Sequence, residues 1–245
     1  MRILVVNPNT TASMTAKIAA AARAVASPGT EIVAVNPPTG PASIEGYVDG
    51  ALAVPGLLDE IRAGEAAGVD AHVIACFDDT GLDAARALAT APVIGIGEAA
   101  YHVASLIAGR FSVVTTLACS VPILEENLAR YGLAERCAEV RAAEVAVLDL
   151  EKPGTTARER IAGEIGEALR HGGADAIVLG CAGMADLAAS FAERFGVPVI
   201  EGVSAAVKLA EALIGLGLST SKAGGWAAPR HKPDGTGFRV ESLVG

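Results

Sequence analysis

Aromatic side chains are scarce in this chain: five Phe, three Tyr and one Trp make up 4% of 245 residues. A core with so few rings must close through small and branched aliphatic side chains, with helices lying close on a sheet. Cationic residues are also few, 19 Lys and Arg against 28 Asp and Glu, for a formal net charge of −9. Phosphate contact needs a basic surface, so no nucleic-acid partner is expected. No apolar run reaches the roughly 18 residues of a membrane span, so no membrane role is expected. The cysteines at 76, 119, 137 and 181 form no Cys-x-x-Cys pair, and the histidines at 72, 102, 171 and 231 are scattered. Neither pattern suits a zinc site. No Gly-x-Gly-x-x-Gly follows the first apolar run, which removes the usual dinucleotide fingerprint, so no cofactor is expected. The chain starts on a strand-like Arg2-Ile3-Leu4-Val5-Val6 without the basic and apolar regions of a signal peptide. The expectation is a cytoplasmic protein with reduced thiols.

What the chain does have is a duplication. Gly68-Val69-Asp70-Ala71-His72-Val73-Ile74-Ala75-Cys76 answers Gly173-Ala174-Asp175-Ala176-Ile177-Val178-Leu179-Gly180-Cys181 at an offset of 105. Ala91-Pro92-Val93-Ile94 answers Val197-Pro198-Val199-Ile200 at 106, and Arg2 to Val6 answers Arg110 to Val114 at 108. Each half carries one cysteine at the same place.

Short apolar runs alternate with Ala-rich amphipathic ones. Strands are expected near 2–7, 31–36, 71–76, 93–97, 111–116, 139–147, 176–181 and 197–201. Helices are expected near 14–26, 51–67, 82–90, 98–109, 120–131, 156–171, 184–195 and 203–216. Pro153, Gly154 and the pair Thr156 and Glu159 read as a helix start with a capping box. Alternation of this kind gives an α/β fold of two pseudo-symmetric Rossmann-like halves, each a parallel sheet flanked by helices. The offsets place one half at 1–97 and the other at 98–204, with 205–245 returning to complete the first. The Gly- and Pro-rich arm at 217–245 is assigned no regular structure.

Ligands of such sheets bind beyond the carboxyl ends of the strands. Asn7 to Thr10, Cys76 to Asp79, Thr115-Thr116 and Cys181 to Met184 all fall there. Cys119 and Cys137 lie in or beside helical stretches without a counterpart, and are read as small hydrophobes. Cys76 and Cys181 have each other. A helix N-terminus just beyond each would lower its pKa. Two thiols on opposite walls of one cleft suit a reaction in which one face of a carbon loses a proton and the other gains one. That chemistry needs a C–H beside a carbonyl and polar groups that hold the developing oxyanion. Asn7, Asn9, Thr115 and Thr116 are candidates to bond the substrate, or to cap the next helix. Of Asp78 and Asp79, one is expected to cap the helix near Leu82. At least one must turn from the thiol or bond a substrate N–H, because a carboxylate beside a thiol opposes its ionisation. Gly183 could open backbone amides to a ligand, Phe77 could line the pocket, and Ser43, Ile44 and Glu45 could form a lid.

Together, Asn7-Pro8-Asn9-Thr10, Cys76-Phe77-Asp78-Asp79-Thr80-Gly81, Gly180-Cys181-Ala182-Gly183-Met184 and Thr220-Ser221-Lys222 resemble the hydantoin racemase family of the aspartate/glutamate racemase superfamily. The resemblance runs essentially end to end. It implies a cofactor-independent racemase of 5-monosubstituted hydantoins with Cys76 and Cys181 as acid and base. It further implies substrate contacts at Asn7, Ser43, Ile44, Asp78, Asp79, Thr115, Thr116, Gly183 and Met184, with Phe77 and Ala182 beside the thiols. A homo-oligomer, tetramer or hexamer, is implied as well. The amino-acid racemases of the superfamily carry Cys-Asn-Thr and Gly-Cys-Thr-His, where this chain has Cys76-Phe77-Asp78 and Gly180-Cys181-Ala182-Gly183. A neutral cyclic ureide with ring N–H donors suits Asp78 better than a free amino acid does. Allantoin, itself a 5-substituted hydantoin, is the nearest alternative, followed by aspartate or glutamate. Outside catalysis the alternative is a two-lobed small-molecule binding protein, for which paired thiols have no use.

Overall fold

The structure, a computed structural model, describes residues 1–152, 154 and 156–230. Eight parallel strands make two sheets of four. One contains β1 (Arg2–Val6), β2 (Glu31–Val35), β3 (Ala71–Ile74) and β4 (Val93–Gly95), ordered β2-β1-β3-β4. The other contains β5 (Phe111–Thr115), β6 (Cys137–Ala142), β7 (Ala176–Gly180) and β8 (Val199–Glu201), ordered β6-β5-β7-β8. The second order is the first repeated, so the sequence duplication is a duplication of topology. The helices are α1 (Ala12–Val25), α2 (Tyr47–Ala66), α3 (Leu82–Leu88), α4 (Ile96–Ile107), α5 (Val121–Arg130), α6 (Ala157–His171), α7 (Ala188–Phe195) and α8 (Gly202–Gly215).

The repeated Gly-x-Asp-Ala segment has one job in both halves. Gly68 (φ 69°) and Gly173 (φ 67°) supply a left-handed turn that a side chain would strain. The next aspartate then clips the start of the neighbouring strand. Asp70 accepts from the Arg2 amide at 2.6 Å, and Asp175 from the Arg110 amide at 3.2 Å. Their own amides donate to the Arg2 and Arg110 carbonyls, both at 2.8 Å. This fixes the register of β1 against β3 and of β5 against β7.

Alternate strand residues face different cores. Ile3, Val5, Val73, Phe111, Val113 and Val178 join α1, α4 and α8 in one cluster shared by the two sheets. Leu4, Val6 and Ile74 pack under α2 and α3. Val114, Ile177 and Leu179 pack under α6 and α7. Three aromatics meet in the shared core, where Tyr101 lies 5.4 Å from Phe77 and 6.0 Å from Phe111. Helix α8 leaves the second sheet and packs on α1, α4 and β3 of the first. A Cβ on Gly202 would sit 2.4 Å from the Ile96 carbonyl oxygen. Ile96 and Gly202 are equivalent by the offset of 106. Equivalent positions meet only near the axis that relates them, so the pseudo-twofold passes here.

The structure corrects several local expectations. The strand expected at 139–147 runs Cys137–Ala142. It is an edge strand, half-buried throughout, and Cys137 begins it directly after the 3-10 turn Ala134–Arg136. The apolar stretch after it is buried as a loop, tied by the Val145 amide to the Thr116 carbonyl at 3.0 Å. The capping box does not form: Thr156 makes no side-chain cap, and Glu159 pairs instead with Arg194 at 3.1 Å. Pro153 lies outside the described residues. The helix expected from 184 is a 3-10 turn over Ala182–Leu187 followed by α7. In the arm, Gly224–Trp226 makes a 3-10 turn. Ahead of it, Thr220 bonds the Thr90 carbonyl at 2.9 Å and the Ala91 carbonyl at 2.8 Å, and Lys222 bonds the Arg86 carbonyl at 2.6 Å. The arm from 231 to 245 lies outside the described residues. Among the described residues no helix is long and apolar enough to cross a membrane, and no cluster of three His, Cys, Asp or Glu is arranged to hold a metal.

Candidate active site

A partly open cavity lies at the carboxyl ends of the inner strands of both sheets. Its walls are built of equivalent pairs. Asn7 corresponds to Thr115, Pro8 to Thr116, Ala75 to Gly180, Cys76 to Cys181, and Phe77 to Ala182 in the duplicated frame. The two thiols therefore line one space near the pseudo-twofold. Asn9, Met14, Ile44, Asp78, Ser120 and Val147 complete the wall.

The strand ends explain these positions. Asn7 follows β1 and is buried. Its amide donates to the Asn9 side-chain oxygen at 2.9 Å and the Thr15 hydroxyl at 3.0 Å. The Asn9 oxygen also takes the Thr11 amide at 2.9 Å, which holds the entry to α1. Thr115 donates its hydroxyl to the Gly180 carbonyl at 3.0 Å. A Cβ at Gly180 would lie 2.8 Å from the Thr115 Cβ, so glycine lets β7 approach β5 just before Cys181.

Each sulfur meets a similar donor and a different charge. The backbone N–H two residues on, at Asp78 for Cys76 and at Gly183 for Cys181, favours the thiolate in both. Cys76 also contacts the Thr80 hydroxyl at 3.4 Å. Burial nevertheless raises both thiols, Cys76 far above its usual range and Cys181 to about 12, and the Asp78 carboxyl pushes both further. This reverses the expectation of lowered thiol pKa values. The helix beyond Cys76 starts only at Leu82, and Cys181 opens a 3-10 turn, so neither thiol sits against an α-helix N-terminus. Desolvation then dominates. It also lifts Asp78 to about 7, while a bond from Ser120 works the other way.

Of the residues singled out in the sequence, Asn7, Ile44, Cys76, Phe77, Asp78, Thr115, Thr116, Cys181 and Ala182 line the cavity, and Ser43, Asp79, Gly183 and Met184 do not. The carboxylate of Asp79 turns away from the thiols. It accepts from the amides of Gly97 at 3.0 Å and Glu98 at 2.8 Å and from the Tyr131 hydroxyl at 2.7 Å. It thus caps α4, whereas the expected cap of α3 is absent: that helix starts from Gly81 without a side-chain cap. Met184 is fully buried in the core under α6 and α7. Gly183 packs between sulfur and Leu150, where its Cβ would lie 3.6 Å from the Cys181 Sγ and 3.0 Å from the Leu150 Cδ1. Met14, Ser120 and Val147 were not singled out. Met14 reads as one core residue of α1, and Val147 looked like strand, so no local signal marks either. The loop of Ser43, Ile44 and Glu45 and the Val147 turn meet: the Val147 amide donates to the Glu45 carboxylate at 2.9 Å, with Ile44 and Val147 both on the cavity wall.

The chain resembles known proteins over nearly its whole length. A family model described as Asp/Glu/Hydantoin racemase matches residues 3–210. A hydantoin racemase of Rhizobium meliloti is 53% identical over 232 residues, 95% of this chain and 96% of that one. Among solved structures, an allantoin racemase from Klebsiella pneumoniae superposes with a TM-score of 0.94 at 52% identity, covering 96% of this chain and 97% of that one. An allantoin racemase from Pseudomonas fluorescens gives 0.92 at 46% identity, covering 96% and 99%. Duplicated topology, paired thiols and these likenesses agree: the chain belongs to the Asp/Glu/hydantoin racemase family.

Proposed function

We propose that the protein racemises 5-monosubstituted hydantoins without a cofactor, using Cys76 and Cys181 on opposite faces of C5. The observation that carries this is the placement of the two thiols at equivalent positions on one cavity. One sulfur, as thiolate, takes the C5 proton and becomes a thiol. The electron pair left on C5 spreads onto the adjacent carbonyl oxygen. The other thiol gives its proton to the opposite face and becomes the thiolate. The product is the mirror image, and the enzyme returns with the two sulfurs exchanged in charge. A general acid or base in such a role contributes roughly 10²–10⁴-fold. The Asp78 and Gly183 amides support whichever thiolate is present.

The lining favours a neutral ring over a free amino acid. Among the described residues lining the cavity there is no Lys or Arg to hold an α-carboxylate, and Asp78 would oppose one. Allantoin is the second reading, favoured by the 52% identical solved relative and by the polar Asn9, Thr116 and Ser120 on the wall. Met14, Ile44 and Val147 on the same wall favour a hydrocarbon substituent. Circular dichroism of enantiopure 5-alkyl and 5-arylmethyl hydantoins, both hands of allantoin, and L-aspartate and L-glutamate decides the matter, with the spontaneous rate subtracted. Loss of optical activity is expected for hydantoins and none for amino acids. Turnover of aspartate or glutamate alone would overturn the reading.

A further inference from the structure

Lys17 sits on α1 of the first half, yet all its recorded partners belong to the second. Its Nζ donates to the Leu150 carbonyl at 3.2 Å and the Gly183 carbonyl at 3.3 Å. It also pairs with Glu151 at 3.0 Å and Asp186 at 3.8 Å. Its side chain is only 22% exposed. Two segments are thereby held by one ammonium group, which has three donors to give. One is the 3-10 turn Val147–Glu151, which puts Val147 on the cavity wall. The other is the 3-10 turn that begins at Ala182, directly after Cys181.

We propose that Lys17 is a positioning residue for Cys181: it pins the Cys181 loop across the two halves and makes Cys181 the more readily ionised of the two thiols. The proposal rests on the two-thiol reading of the site. Gly183 is the link. Its carbonyl is held by Lys17, and its backbone N–H favours the Cys181 thiolate. The charges around Cys181 are Lys17 from α1, Asp78 from the loop after β3, and Glu151 from the turn after β6. Asp186 lies on its own turn and is paired with Lys17. Lys17 alone among them favours the thiolate. Glu151 offsets part of that charge, but the carbonyl bonds remain. Among the described residues Cys76 has no such partner: the offset of 108 puts Glu125 where Lys17 would be, and the charges that act on Cys76 are those of Asp78 and Cys181.

The test is the alkylation rate of each cysteine by iodoacetamide between pH 7 and 10, read by mass spectrometry. Wild type, Lys17→Met and Lys17→Arg are compared at equal helicity. In Lys17→Met, alkylation of Cys181 should slow about tenfold at fixed pH, the equivalent of one pKa unit, with its pH profile moved to higher pH. Cys76 should stay within about twofold, and Lys17→Arg should recover most of the loss because it keeps charge and donors. An unchanged Cys181 rate, a faster one, or an equal fall at both cysteines would overturn the proposal. Alkylation needs no turnover, so it tests Lys17 independently of the racemase reading. That reading fails separately if Cys181→Ser still racemises.

Discussion

The two halves of this molecule agree in their frame and differ at their site. Strand order, the left-handed glycine turn and the aspartate clip recur almost unchanged. At the cavity the same frame carries Asn7 where the other half has Thr115, and Asp78 lines the wall while its equivalent Gly183 does not. The helix caps show how such a difference is accommodated. In the second half Glu201 ends β8 and caps α8 itself, accepting from Val203 at 2.8 Å and Ser204 at 2.7 Å. The equivalent residue in the first half is Gly95, which has nothing to offer α4. Asp79 takes over from the loop after β3, and its Oδ1 lies 2.1 Å from where a Gly95 Cβ would be. Moving the cap onto Asp79 ties the loop that bears Cys76 to the start of α4. The Cys181 loop has no such tie and is held by Lys17 instead. A duplicated frame can thus keep its shape while each thiol acquires its own neighbours.

The largest effect should come from removing either thiol. Cys76→Ser and Cys181→Ser should each lower kcat for racemisation by at least roughly 10²–10⁴-fold, measured by polarimetry on a hydantoin the wild type turns over. A loss confined to one of them would break the functional equivalence of the halves. The caps come next. Asp79→Ala leaves two amides and a part-buried hydroxyl without an acceptor, at about 1–3 kcal/mol for each buried group, so a loss of several kcal/mol is expected in urea unfolding. Glu201→Ala should cost only about 1–2 kcal/mol, as ordinary N-caps do. The comparison can be sharpened by moving the cap. Gly95 (φ −82°, ψ 140°) and Glu201 (φ −112°, ψ 146°) share one backbone region, so Gly95→Glu should restore part of the stability of Asp79→Ala. No recovery would show that the two caps are not interchangeable.

Further effects follow from pH and from the clips. Asp78 has a folded pKa near 7, above its ordinary 3.8. Its neutral form is therefore favoured on folding. Stability from this group is full below about pH 4 and is lost as pH rises through about 7, by at most about 1.4 kcal/mol per pH unit. Asp79, also raised to about 7 by burial, acts in the same direction. Asp78→Asn should flatten the fall in urea midpoint between pH 5 and pH 8 without removing it. The smallest effect belongs to Asp70→Ala and Asp175→Ala, each about 1 kcal/mol for a partly exposed hydrogen bond. Near-equal losses are expected, since these two residues do the same work in both halves.

The frame was legible because buried parallel strands are continuous apolar runs, and because the repeated Asp70 and Asp175 segments announce the pairing. All eight strands were found. The edge strand β6 was misplaced since Glu139 and Arg141 interrupt its apolar signal, while the loop that follows is apolar for the sake of the cavity. Cys76, Cys181, Asn7 and Asp78 were legible from strand-end placement and mutual equivalence. Asp79 reads from sequence as a substrate contact or as a cap of the helix near Leu82; that it caps α4 instead is revealed only by the missing side chain at Gly95. Lys17, Met14 and Val147 gave no signal, since each reaches the site through a packing of halves that no short segment encodes.

The central claim is that each thiol serves one face of the substrate carbon. It is tested by incubating Cys76→Ser and Cys181→Ser with each pure enantiomer of a 5-substituted hydantoin in deuterated water and following deuterium entry at C5. Each variant should exchange one enantiomer well above the uncatalysed rate, the two variants should choose opposite hands, and neither should racemise. Exchange of the same enantiomer by both variants, or racemisation near the wild-type rate by either, would contradict the account.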